Sequence, residues 1–134
     1  MLRRFCLTAA ATAMLALSAL PASAAAAQPG THTLSFPGLR GVKAWGTYAR
    51  TSKGVYINVC AEDMARDVFA AGAVTVASNA GNTRHTNLGA VAFGYHQSIC
   101  RTMTVRYTSH LSVYTATWTT AGKVGSRSKA KIIY

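Results

Sequence analysis

The chain has 134 residues, with 14 Lys and Arg against 3 Asp and Glu, a formal net charge of +11, and hydrophobic side chains at 50% of positions. That length accommodates a leader and one domain of ordinary size. The few carboxylates, all lying between Glu62 and Asp67, exclude chemistry that needs acids on two sides of a substrate, such as a glycosidase pair, while the charge points to polyanions as partners.

Arg3 and Arg4 precede an apolar run from Phe5 to Leu20, followed by Pro21 and a string of small residues. A charged start, an apolar centre and A-x-A options form the pattern of a secretory signal peptide over residues 1–27, with cleavage after Ala24 or Ala27. The run is too short to read as a membrane span, and no second one of comparable length follows. Removal of this leader leaves twelve Lys and Arg against three acids, a net charge of +9, and reduces three cysteines to two. An even pair, Cys60 and Cys100, in an exported protein is expected to form one disulfide. The predicted location is therefore secreted, outside the cell.

Residues 28–38 are punctuated by Pro and Gly and read as a flexible lead, with a single β domain expected over 39–134. Strand candidates follow at Gly41–Arg50, Gly54–Cys60, Val68–Ala77, Leu88–Tyr95, Ile99–Thr108, Ser112–Thr120 and Lys129–Tyr134, separated by segments rich in Gly, Ser, Asn and Thr. In the second of these, Val55, Ile57 and Val59 alternate with Tyr56, Asn58 and Cys60, the period of two that sends successive side chains to opposite faces. Both faces of that strand are expected to be largely covered. About seven short strands without helices predict an all-β fold, an antiparallel β-sandwich that is immunoglobulin-like or a small barrel. The disulfide would either pin two sheets together or clip two neighbouring strands. After Cys60 the segment AEDMARD reads as a solvated connection, in which Asp63 or Asp67 caps a short turn and pairs with Arg66 or another of the abundant arginines.

The segment GTYARTSKGVYINVCAEDMARDVFAAGAVTVAS, together with YTATWTTAG and a lysine-rich final strand, resembles small secreted actinobacterial β-sandwich proteins of uncharacterised function. The resemblance covers the 90 or so residues from Gly41 onward. It places two spaced aspartates, Asp63 and Asp67, in a loop ahead of an Ala-rich strand at Ala70 and Ala71, with Val68 where such loops commonly carry Gly. What it implies is an exported β-sandwich, not an activity.

Glu62, Asp63 and Asp67 are the only candidates for a cation site, since Ca²⁺ is held by clustered oxygen ligands. Their spacing matches no Ca²⁺ loop, and no metal or cofactor is expected. His32, His85, His96 and His110 show no i, i+4 pairing or HExxH arrangement, and no G-x-S-x-G elbow occurs. An enzyme is therefore disfavoured. The least strained enzymatic alternative is a small secreted phosphodiester-acting enzyme or toxin, using two imidazoles beside cations, with His85 or His96 taking part.

Positive charge is the remaining lead. Arg127, Lys129 and Lys131 alternate with Ser128, Ala130 and Ile132 and would line one face of a strand; with Lys43 and Arg106, which stand near aromatics, they are the predicted polyanion-binding residues. Trp45, Tyr114 and Trp118 read as core. No nucleic-acid-binding motif is present. The expected function is a secreted basic binding module for anionic cell-envelope or extracellular polymers, or for a partner protein. A third alternative is an extracellular protease inhibitor presenting Arg84 on the segment Ala80 to Asn87.

Overall fold

The computed structural model describes residues 30–106 and 108–134; the expected signal peptide and its cleavage points lie outside them. Nine strands form among the described residues: β1 (Thr31–Thr33), β2 (Val42–Thr51), β3 (Gly54–Asp63), β4 (Ala70–Ser78), β5 (His85–Ala92), β6 (Ser98–Val105), β7 (His110–Trp118), β8 (Val124–Arg127) and β9 (Lys131–Ile132). No helix among the described residues is long and apolar enough to cross a membrane.

The strands make two antiparallel sheets. One runs β1-β2-β3-β6; the other runs β5-β4-β7-β8, with β9 also paired to β7. The chain makes the β2–β3 hairpin, crosses to make β4–β5, returns to lay β6 beside β3, and crosses again to lay β7 beside β4. From β2 to β8 this is the connectivity of an immunoglobulin-like sandwich, with its fourth strand on the sheet of the third. The barrel alternative does not form, because β5 and β6 each end a separate sheet.

Sheet pairing follows from alternation. Val55, Ile57, Val59 and Ala61 turn inward on β3, and Ala71, Ala73, Thr75 and Ala77 turn inward on β4. The core has two parts. Leu34, Val55, Ile57, Ala77, Val105, Leu111 and Val113 pack together near the β2–β3 turn. Val59, Ala61, Ala73 and Ala90 pack toward the opposite end. Small residues on β4 and β5 let the branched side chains of β3 fill the space between sheets, and truncating a buried Ile57 to Ala costs about 2–5 kcal/mol in such a setting.

Cys60 and Cys100 are joined, as expected, and the geometry selects between the two arrangements left open. They are direct cross-strand partners on β3 and β6, with Cα atoms 4.1 Å apart, so the bond clips two neighbours within one sheet and points away from the core.

Several expectations are corrected. The strand through Cys60 does not stop there: it continues to Asp63, pairing Ala61 with Ala44 and Asp63 with Val42. Its outer face is only partly covered: Cys60 is buried but Tyr56 is exposed. Residues 30–38, expected as a flexible lead, are laid onto the fold. β1 pairs with β2, Leu34 is buried, and the Pro37 carbonyl accepts a hydrogen bond from the Thr115 hydroxyl at 3.0 Å. The expected last strand, Lys129–Tyr134, shrinks to β9, and β8 forms ahead of it in a segment expected as a turn; between them Ser128 exchanges bonds with Thr115, its amide donating to the Thr115 carbonyl and its hydroxyl accepting from the Thr115 amide. Trp45 and Trp118 are not core residues. Trp45, paired with Cys60, is on the outer face of the first sheet. Trp118 and Tyr114 share the outer face of the second, where Trp118 lies across Gly72. The inward face of β7 is Leu111, Val113 and Thr115 instead.

Candidate functional site

The two ends of the sandwich differ in charge. Glu62 and Asp63 close β3 and Asp67 follows in the β3–β4 connection, so every Asp and Glu of the chain stands at one end. Successive residues on a strand point to opposite faces, and the acids are separated accordingly. Glu62 faces outward and binds Lys43 Nζ at 3.2 Å and His96 Nδ1 at 3.0 Å. The hydrogen bond to His96, and after it the one from Lys43, hold the Glu62 carboxyl below the usual glutamate range.

Asp63 is buried. One carboxylate oxygen accepts from the Ala65 amide at 3.0 Å and the other from the Gly94 amide at 2.9 Å. Asp67 accepts from the Phe69 amide at 2.9 Å. The expected turn-capping is therefore present at both aspartates, but Arg66 lies over the Tyr95 ring at 4.3 Å. Glu62, Asp63 and Asp67 do not converge, and among the described residues no group of three or more His, Cys, Asp or Glu side chains could hold a metal ion. Asp63 is a structural clamp between the β3–β4 and β5–β6 connections.

The five predicted polyanion-binding residues are dispersed. Lys43 is at the acidic end, engaged with Glu62 and 5.5 Å from the Trp45 ring centroid. Arg127 ends β8 and stacks on Tyr114 at 3.8 Å. Lys131 on β9 donates to the Ser35 hydroxyl at 2.8 Å, and Lys129 is exposed between them. Arg106 stands at the far end, directly after β6, and Lys131 approaches that end, opposite Val113.

That far end holds what the sequence pattern did not reveal. Arg50 on β2 is opposite Val55, which is opposite Val105; Lys53 is in the β2–β3 turn and Arg106 follows Val105. Val55 and Val105 pack in one cluster with Ala77 and Leu111, which brings the β4–β5 turn, with Arg84 and His85, and the start of β7, with His110, to the same end. The end thus gathers Arg50, Lys53, Arg84, Arg106, His85 and His110, with no Asp or Glu side chain. Arg50 is held over the Tyr134 ring at 4.3 Å. Burial raises the pKa of that tyrosine's hydroxyl, with the nearby Arg50 charge opposing it.

Asn79 builds the turn that presents Arg84 and His85. Its side-chain oxygen accepts from the Thr83 amide at 2.9 Å and the Arg84 amide at 3.0 Å, its carbonyl accepts from the Asn82 amide, and Asn82 adopts φ 52°. This bond pattern folds Ala80–Arg84 into a tight turn, and residues from His85 onward belong to β5 rather than to an inhibitor-like loop. On β4, Ser78 is the register partner of both His85 on β5 and His110 on β7. Cross-strand partners share a face, so the two imidazoles flank Ser78 on the outer surface. They border a cleft of about 350 Å³ with Asn82 and Ser112. His96, the other histidine considered beside His85, is at the opposite end with Glu62. The signal for the His85 and His110 pairing lay in register, which the order of residues does not contain.

Two further clefts occur near the acidic end. One, of about 640 Å³, sets Arg40 and Arg66 beside Asp67, Met64 and Phe69; the other, of about 490 Å³, is apolar, between Val91, Phe93 and Trp118. Comparison with protein-family models, with curated proteins and with solved structures finds no match to this chain.

Proposed function

We propose that the protein is an exported, non-enzymatic module that binds anionic polymers of the cell envelope or extracellular space, and that it does so through the acid-free end of the sandwich. The observation that carries the reading is the segregation of charge. The three acids are consumed at one end by Lys43, His96 and backbone amides, while Arg50, Lys53, Arg84 and Arg106 gather at the other, where no Asp or Glu side chain stands. A polyanion laid on such a surface releases its condensed counterions, which favours binding and makes it salt-dependent. The leader pattern and the Cys60–Cys100 disulfide support an extracellular setting, where these bonds persist.

The test is elution from immobilised heparin across a salt gradient. Parent protein elutes at moderate salt. A Lys53, Arg84, Arg106 triple Ala variant elutes much earlier, and a Lys43, Lys123 double Ala variant elutes close to the parent, all three retaining the same thermal midpoint. Salt-independent retention, or equal losses in both variants, removes the proposal.

A further inference from the structure

We infer that the cleft between His85 and His110 is a seat for a single phosphodiester group, so that phosphate-linked polymers gain a contact at the acid-free end that sulfated or carboxylated ones do not. This rests on the reading of that end as the polyanion surface and narrows it to one linkage chemistry. Both histidines face Ser78 from the two strands that flank it. Two strand spacings therefore separate their backbones, roughly 10 Å. That span leaves room for one tetrahedral anion between the two imidazoles, each able to offer a ring N–H to a different oxygen.

The surroundings fit an anion better than the alternative occupant of a histidine pair, a metal ion. Arg84 immediately precedes His85 and Arg106 ends the described stretch after β6, no Asp or Glu side chain stands at this end, and no third metal-ligating side chain joins the pair among the described residues. A divalent cation there would be repelled by its neighbours, whereas a phosphodiester is attracted by them. Ser78, 5% exposed, lines the cleft with Asn82 and Ser112, which carry further hydrogen-bonding groups, beside the apolar Val76, Leu111 and Ile132. Both imidazoles are exposed, and neither ring is engaged by a hydrogen bond or ion pair among the described residues, in contrast to His96.

The geometry is tested by following imidazole NMR resonances during titration with dimethyl phosphate at fixed pH and ionic strength. His85 and His110 shift together and saturate, while His32 and His96 do not; uniform shifts of all four, or none, overturn the seat. In parallel, binding of an RNA oligomer, of poly(glycerol phosphate) and of heparin is measured for the parent and for a His85→Gln, His110→Gln variant with an unchanged thermal midpoint. A loss of about tenfold toward the phosphate-linked polymers, with heparin affinity held within twofold, supports the seat. A preference for RNA or for poly(glycerol phosphate) then assigns the source of the phosphodiester. Equal losses toward heparin and the phosphate polymers overturn the seat and leave the cationic-end reading standing. Failure of the parent to bind any of the three overturns both.

Discussion

The buried carboxylate of Asp63 accepts a hydrogen bond from the backbone amide of Gly94, 31 residues further along the chain, at 2.9 Å. With the second bond from Ala65, one side chain fixes the connections that leave β3 and β5. Hydrogen bonds to a charged acceptor contribute about 1.5–3 kcal/mol each. Asp63→Ala is therefore expected to lower unfolding free energy by about 3 kcal/mol or more, and Asp63→Asn, which keeps one acceptor oxygen, by less. Urea denaturation of the three proteins checks the order; equal stability for Ala and parent contradicts the clamp.

The disulfide closes a loop with a sequence separation of 40. Chain-entropy arguments give about 4 kcal/mol for a loop of this size, as an upper figure. The Cys60→Ser, Cys100→Ser double variant should lose a large part of that, read as a fall in the urea midpoint. Because the bond joins strands already paired in register, the variant should keep its far-ultraviolet β signature in the absence of denaturant.

Two glycines are required by close approach. At Gly54, φ is +137° and a Cβ would collide with the Val105 carbonyl oxygen; at Gly72 it would collide with the Trp118 ring. Gly54→Ala meets both backbone strain and a rigid backbone neighbour, so it should destabilise more than Gly72→Ala, whose obstacle is a side chain that can swing outward. Thermal midpoints give the ranking, and tryptophan fluorescence should change for Gly72→Ala as its ring is displaced.

Folding lowers the Glu62 pKa, through His96 first and Lys43 second. For a carboxylate with a depressed folded-state pKa, the stabilisation is present above the unfolded-state value and lost as pH falls through the folded one. The stability gap between parent and Glu62→Gln is thus widest near neutrality and closes on acidification. The site is exposed, so the gap is small. Denaturation midpoints of both proteins across that range test the sign; a gap that widens toward acid contradicts it.

The residue order by itself indicated the strands from Gly41 to Trp118, with β5 set three residues too late, and the pairing of Cys60 with Cys100, because alternation, turn residues and cysteine parity are local or countable features. It misplaced the end of β3, since Glu62 and Asp63 look like loop residues until Asp63 is seen to be satisfied by the distant Gly94 amide. It misjudged Trp45 and Trp118 because alternation identifies two faces of a strand without saying which faces the other sheet. Only the tertiary structure set the sidedness of β7, the concentration of all three acids at one end, and the placement of His85 and His110 across Ser78. Those relationships depend on which strand lies next to which and in what register, and that is decided by the packing of the whole sandwich rather than by any segment of it.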